Sequence, residues 1–520
     1  MSNRHAARGA VLALAGLWLA ACNSSDEVSG ASSGVVPTPP RNLDRGCDLA
    51  SYPSAQWLAC EAGNFARLGE APLEQATNLA FTARLLAQAA ASTQALLARN
   101  LADPSWLLTS TVLPYCATQA LVCAGDPYRW PQAEGPDGRA FYENEAVVTP
   151  VVFYDRDCAR LSGRAWRPKT LAPGQRLPAV VIDNGSIGAP ESSYWWAAQA
   201  LVRAGYQVLS YDPRGQGRSD FITPAGGLGT NANPEVFWLN LVDAVDFLES
   251  TPATPYPHNL DCAGSYPTEV APYNPEHATL DRERIGIAGH SLGAIGVSVV
   301  QGYGAPGADP WPGRLDSRNP VKAAVAWDSL ITPDGHGLAP CDNAPLSNEL
   351  CRLLVQIVGA GGKLPDFAPR VPSLSFSADY GLATMVPYLL PPDPENHKQA
   401  FQLWQETGVP VYSLGFQGTT HLDFSPIADA PATSWCPDTS SGACRGGYGL
   451  PAITYYTVAW LDRWLKKPGE PGYADADQRL VDDAGEHGAV KMSFHYRSAR
   501  DYPDRSGKRQ HCEDIRAGCE

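Results

Sequence analysis

What this sequence lacks narrows its chemistry first. It has no excess of basic charge: 39 Lys and Arg stand against 54 Asp and Glu, a formal net charge of −15. A phosphate backbone is bound by clustered cations, so no nucleic-acid partner is expected. It has no C-x-x-C pair and no adjacent Cys/His spacing of the kind that holds zinc, so no metal is expected. Its Gly-containing turn Asp212 to Ser219 lacks a complete phosphate-loop or dinucleotide fingerprint, and the chain has no internal repeat. No cofactor is expected, since no convincing metal-ligand set is present and the chemistry read below needs only water. The N-terminal apolar run, Ala10 to Ala21, has too few residues to span a bilayer as a mature helix.

What is present describes a globular chain of 520 residues, 44% hydrophobic and 18% charged. Its 48 Gly and 46 Pro predict many turns and long ordered loops. Arg4 and Arg8 precede the short apolar run, as in a signal peptide over residues 1–21. The run closes with Leu19-Ala20-Ala21-Cys22, which resembles the lipobox of bacterial lipoproteins. That resemblance implies lipidation of Cys22 and a membrane partner reached through an acyl anchor rather than a span. Ordinary secretion is the alternative. Residues 22–40 read as a flexible tether.

The 13 cysteines suit an oxidising compartment, and setting Cys22 aside leaves an even number. Ten lie in sequence-local pairs that are candidates for disulfides: Cys47 with Cys60, Cys116 with Cys123, Cys341 with Cys351, Cys436 with Cys444, and Cys512 with Cys519. Cys158 and Cys262 remain and would have to meet across the fold.

Residues 41–136 read as a helical N-terminal extension, with one long helix from Leu73 to Leu101 ended by Asp103-Pro104. Residues 137–467 carry the main pattern. A strand pair, Glu145 to Tyr154 and Leu161 to Arg167, leads into strands that alternate with helices. The strands are Leu177 to Asp183, Tyr206 to Tyr211, Arg284 to Ala288, Val321 to Trp327, Ser373 to Ser377 and Val409 to Phe416. The helices between and after them are Ser193 to Ala204, Val236 to Leu248, Ala294 to Tyr303 and Tyr455 to Lys466. Such alternation predicts an α/β fold with a mostly parallel, doubly wound sheet. Thr251 to Asp281 is a Pro-rich insertion, and residues 468–520 read as a C-terminal extension. In sheets of this kind the chemistry sits at the carboxyl ends of strands.

One such end carries Gly289-His290-Ser291-Leu292-Gly293, a G-x-S-x-G pentapeptide between an apolar strand and a small-residue helix. The tight turn would project the Ser291 hydroxyl. A serine needs a base to take its proton, and His421, in the polar loop after Val409 to Phe416, is placed to serve. His290 is too close to Ser291 along the turn and is expected to pack. The acid that orients the base should precede it in the chain. Asp328 and Asp379 both follow strands, and periodicity does not choose between them. Asp423, beside the base, reads as loop structure. The oxyanion donors are expected to be the N–H of Leu292 and the N–H of Ser186, in the loop after Leu177 to Asp183. The turn Asp212-Pro213-Arg214-Gly215-Gln216-Gly217-Arg218-Ser219 reads as structural. Trp195, Trp196, Trp327 and Tyr380 are candidates for an apolar surface near Ser291, although aromatic residues at such places are more often core.

With these residues in place, the chain from about Glu145 to Lys467 resembles the α/β-hydrolase superfamily through GHSLG, DPRGQGRSD and GTTHLDFS. Within it, GHSLG, AVAWDSL and GTTHLDFS are similar to the platelet-activating-factor acetylhydrolases and related bacterial lipases and esterases. That resemblance implies an α/β-hydrolase fold and hydrolysis of small-molecule or lipid esters. It also ranks Asp328 ahead of Asp379 as the acid, whereas most other superfamily members would favour Asp379. An amidase or peptidase could use the same residues, and a non-catalytic envelope binding module is the reading from another class.

Overall fold

Short runs rich in Val, Ile and Ala, bounded by turn residues, predispose the middle of the chain to strands, which other segments join. In the computed structural model they are β1 (Ala146–Tyr154), β2 (Arg160–Pro168), β3 (Leu177–Asp183), β4 (Gln207–Tyr211) and β5 (Leu280–His290). The chain continues with β6 (Val321–Trp327), β7 (Ser373–Ser377), β8 (Val411–Gly415), β9 (Ala499–Pro503) and β10 (Arg509–Cys512). The structure describes residues 79–109, 141–186, 189–229, 233–334, 364–379, 393–416, 419–424 and 449–519 without 494, and parts of 54–62.

All ten strands join one sheet in the order β1-β2-β4-β3-β5-β6-β7-β8-β9-β10. From β4 to β8 every pairing is parallel, and every residue of β3 is buried. A strand covered on both faces has little place for polar residues, which is why β3 is apolar up to Ile182; its last residue, buried Asp183, accepts the Tyr211 hydroxyl at 2.8 Å. Val180 and Ile182 point to one face, into a core that holds α2 (Trp195–Arg203) and α6 (Gly449–Leu465). Ala179 and Val181 point to the other, under α3 (Glu235–Glu249) and α4 (Leu292–Gly302). The remaining long elements are α1 (Leu79–Ala102) and α5 (Gln399–Glu406). Among the described residues no helix is long and apolar enough to cross a membrane.

Both sheet edges are antiparallel. At one edge β1 pairs with β2 and β2 with β4. At the other, β8 pairs with β9 and β9 with β10. The tail beyond Pro468 therefore does more than extend the chain: it continues the main sheet by two strands.

A buried cation anchors the described part of the N-terminal extension, which is also held by Arg99 on the Arg218 carbonyl and by Thr109 on Asp220. The Arg160 guanidinium lies 3.7 Å from the Trp106 ring and 3.8 Å from the Tyr266 ring. It also donates to both oxygens of Asp220 at 2.9 Å. A planar guanidinium suits this place because it can stack and donate at once. The insertion after α3 is fastened to the same region, where Cys158 and Cys262 form a disulfide across 104 residues. Closing a loop of that length restricts the unfolded chain by roughly 4–5 kcal/mol in the chain-entropy model. Cys512 and Cys519 form the other disulfide seen among the described residues.

The remaining cysteine expectations fall outside the described residues. They are the expected bridges of Cys47 with Cys60, Cys116 with Cys123, Cys341 with Cys351, and Cys436 with Cys444. Cys22, with the rest of residues 1–40, lies outside them too.

Candidate active site

β5 delivers Ser291 to the carboxyl end of the sheet, and α4 begins at the next residue. Between them Ser291 adopts φ 58° and ψ −121°, a conformation that costs an L-residue energy and persists only where the surroundings enforce it. The flanking glycines allow the turn. A Cβ on Gly289 would lie 2.5 Å from the Gly293 carbonyl oxygen, and one on Gly293 would lie 2.5 Å from that of Asn184. The elbow is thus packed backbone to backbone, with the half-buried serine at its tip.

His421 opens a short 3-10 turn after β8. Its Nε2 lies 2.9 Å from Ser291 Oγ, and its Nδ1 meets Asp328 Oδ2. Asp328 directly follows β6, and its other oxygen accepts the Ala378 N–H at 2.9 Å. Burial alone would raise the Asp328 carboxyl. The hydrogen bond and charge of His421, with the Ala378 N–H, outweigh burial and hold it below its ordinary value. An ionised Asp328 fixes the proton of His421 on Nδ1 and leaves Nε2 to accept from the serine hydroxyl. Asp423 caps the same loop, accepting the Thr420 N–H at 2.6 Å and its hydroxyl at 2.8 Å.

Asp379 is placed differently. It is fully buried, accepts the Ser493 hydroxyl at 2.5 Å, and lies 2.8 Å from His495 Nδ1. Its backbone N–H donates to the Thr419 carbonyl at 3.0 Å. Ser291, His421 and Asp328 thus come together, while Asp379 is bound to the C-terminal tail.

The loop after β3 runs beside Ser291: a Cβ on Gly185 would lie 3.3 Å from Ser291 Cβ. Ser186 is the next residue. Leu292 is the first residue of α4, and the first N–H groups of a helix have no partner within it. Asp212 holds the β3 loop in place. It accepts the Asn184 side-chain amide at 3.0 Å, the Glu191 N–H at 2.6 Å and the Arg218 N–H at 2.9 Å. The turn that begins at Asp212 is structural, and its task is this anchoring. Burial pushes the Asp212 carboxyl up to about 6 against those donors and the nearby arginines.

Two expectations are decided or extended by the structure. Trp195, Trp196 and Trp327 are buried in the core and offer no apolar surface to a ligand; Tyr380 lies outside the described residues. His290 does more than pack, because both its ring nitrogens are hydrogen-bonded, Nδ1 to Tyr194 and Nε2 to the His421 carbonyl. Its place beside Ser291 was visible in the sequence. Its link to Tyr194 was not, since 96 residues separate them. Among the described residues no group of three or more His, Cys, Asp or Glu could hold a metal ion.

The strand order, the antiparallel β2, and the strand–serine–helix turn after β5 make this the α/β-hydrolase fold. No protein-family model and no curated protein matches the chain. Among solved structures it is similar to the Pyrococcus horikoshii acylaminoacyl peptidase, with 14% identity and a TM-score of 0.38 over 67% of this chain and 46% of the peptidase. It is also similar to vibralactone cyclase, with 12% identity and a TM-score of 0.36 over 55% of this chain and 77% of the cyclase. The chain therefore spans less than half the length of the peptidase it matches.

Proposed function

We propose that this protein is an exported serine hydrolase that cleaves carboxylic esters of small molecules or lipids through an acyl-enzyme on Ser291. The observation that carries this reading is the hydrogen-bonded line from Ser291 through His421 to Asp328 behind a strained serine. Ser291 Oγ attacks the ester carbonyl as His421 Nε2 takes its proton. Asp328 keeps the imidazole oriented and stabilises its protonated form. The negative oxygen of the tetrahedral intermediate is met by the N–H groups of Leu292 and Ser186. His421 then gives its proton to the departing alcohol, and water, activated by the same imidazole, releases the acid. The resemblance to acetylhydrolases and esterases supports esters over amides. Export is supported by the two disulfides, which suit an oxidising compartment, and by the lipobox-like run before Cys22, which would supply the anchor.

Labelling with a fluorophosphonate probe, alongside turnover of p-nitrophenyl esters and matched anilides, tests the reading. Wild type should label and should hydrolyse the esters faster than the anilides, and Ser291→Ala should do neither. A folded wild type that neither labels nor turns over would sink the hydrolase reading. Faster anilide cleavage would move it to an amidase.

A further inference from the structure

Tyr194 closes a short 3-10 turn, Glu191–Tyr194, ahead of α2, and its side chain is fully buried. Three hydrogen bonds meet around it and His290. The Gly185 N–H donates to the Tyr194 oxygen at 2.8 Å. The Tyr194 oxygen lies 2.8 Å from His290 Nδ1. His290 Nε2 lies 2.9 Å from the carbonyl oxygen of His421. Their directions follow from chemistry. A carbonyl only accepts, so His290 carries its proton on Nε2; bare Nδ1 then accepts the Tyr194 O–H, and the Tyr194 oxygen accepts from Gly185. All donors point one way, so each bond polarises the next.

We propose that Tyr194 and His290 are positioning residues that hold the loop after β3 and the His421 loop in register on either side of Ser291. The proposal rests on the reading of Ser291 as nucleophile and His421 as base. Gly185 immediately precedes Ser186, and His421 is itself the residue whose carbonyl is held. The relay therefore links the expected oxyanion donor to the base through the residue next to the nucleophile. The His290 and His421 rings lie 4.6 Å apart, so a charged His290 would oppose the imidazolium that forms on His421. Burial, and then His421, push the His290 imidazole well below its ordinary value, in keeping with the neutral ring the hydrogen bonds require. The space over the relay is closed: a Cβ on Gly185 would lie 2.8 Å from the Tyr194 oxygen and 2.9 Å from His290 Nδ1. Beneath it the Tyr194 ring stacks on Trp327, the residue before Asp328.

The test compares kcat and KM on a p-nitrophenyl ester for wild type, Tyr194→Phe, His290→Gln and His290→Leu, with thermal melts of each. Tyr194→Phe keeps the ring and removes the hydroxyl, so kcat should fall by roughly 10- to 100-fold, the scale of a small misplacement of reacting groups. KM should stay within about threefold, because no contact to bound substrate is removed. His290→Gln retains a donor for the His421 carbonyl and should keep more kcat than His290→Leu at equal KM. Wild-type kcat in Tyr194→Phe, or equal kcat in the two His290 variants, overturns the relay while the hydrolase reading stands. If Tyr194→Phe fails to fold, the His290 pair decides. A folded but inert wild type overturns the hydrolase reading and the relay with it.

Discussion

Asp328 and Asp379 lie just past neighbouring strands, β6 and β7, and each is bonded to the Nδ1 of a histidine. Each neighbourhood also contains a serine. The wiring separates them. At Asp328 the second imidazole nitrogen faces the Ser291 hydroxyl, so the serine proton has a base to go to. At Asp379 the Ser493 hydroxyl is donated to the carboxylate itself, while the Ser493 oxygen accepts the N–H groups of His495 and Tyr496. Solvent separates them further: Ser291 and His421 are half-buried, whereas Ser493, His495 and Asp379 are buried. The same three residue types thus leave a histidine nitrogen facing the serine hydroxyl in one place and tie that hydroxyl to the carboxylate in the other. Composition does not make a nucleophile; the direction of each proton does.

The comparison can be broken most directly at the serines. Ser291→Ala should lower kcat by roughly 10⁶-fold, the scale of losing a nucleophile, and should abolish probe labelling. Ser493→Ala should leave labelling intact and lower the melting temperature. Loss of labelling in the Ser493 variant would mean that the two clusters have been assigned the wrong way round.

At the acids, Asp328→Asn should lower kcat by roughly 10⁴-fold, because the amide favours the wrong imidazole tautomer. Asp379→Asn should lower kcat less than about tenfold while costing about 1–3 kcal/mol of stability, since it disrupts a buried bonded group. Steady-state kinetics and denaturant titration of both variants decide this. Equal losses of kcat would merge the two sites into one machine. His495→Gln should follow the Asp379 pattern, losing melting temperature before activity, and its melts and rates are read the same way.

The smallest expected effect is a pH dependence. The Asp328 carboxyl is held below its ordinary value of 3.8 despite burial, by the hydrogen bond and charge of His421. A depressed folded-state value contributes stability that is present above the ordinary value and is lost as pH falls through the folded one. The gap in melting temperature between wild type and Asp328→Asn should therefore be steady from neutral pH down to about 5 and close below about 4. A gap that widens in acid would show that the carboxyl is not stabilised as an anion.

Much of this was legible along the chain. The strands β3 to β8, the Ser291 turn and the His421 loop are local patterns, and the close-packed elbow dictates its own glycines. Which carboxylate meets His421 was not legible, because Asp328 and Asp379 both lie just past strands and only a contact across 93 residues brings one of them to His421. The other is claimed from 116 residues away by His495, on a tail whose short polar strands β9 and β10 carry no clear alternation. The anchoring of the N-terminal extension was hidden for the same reason, since nothing near Arg160 in the sequence announces Trp106, Tyr266 or Asp220. By itself the sequence determined what short-range sterics and apolar periodicity can encode: the strand–helix alternation, the strained serine and the loop that carries the histidine. Only the tertiary structure decided which carboxylate meets that histidine, where the tail strands pair, and that His290 joins two loops. Those outcomes rest on hydrogen bonds between distant residues, whose partners the assembled sheet brings within reach.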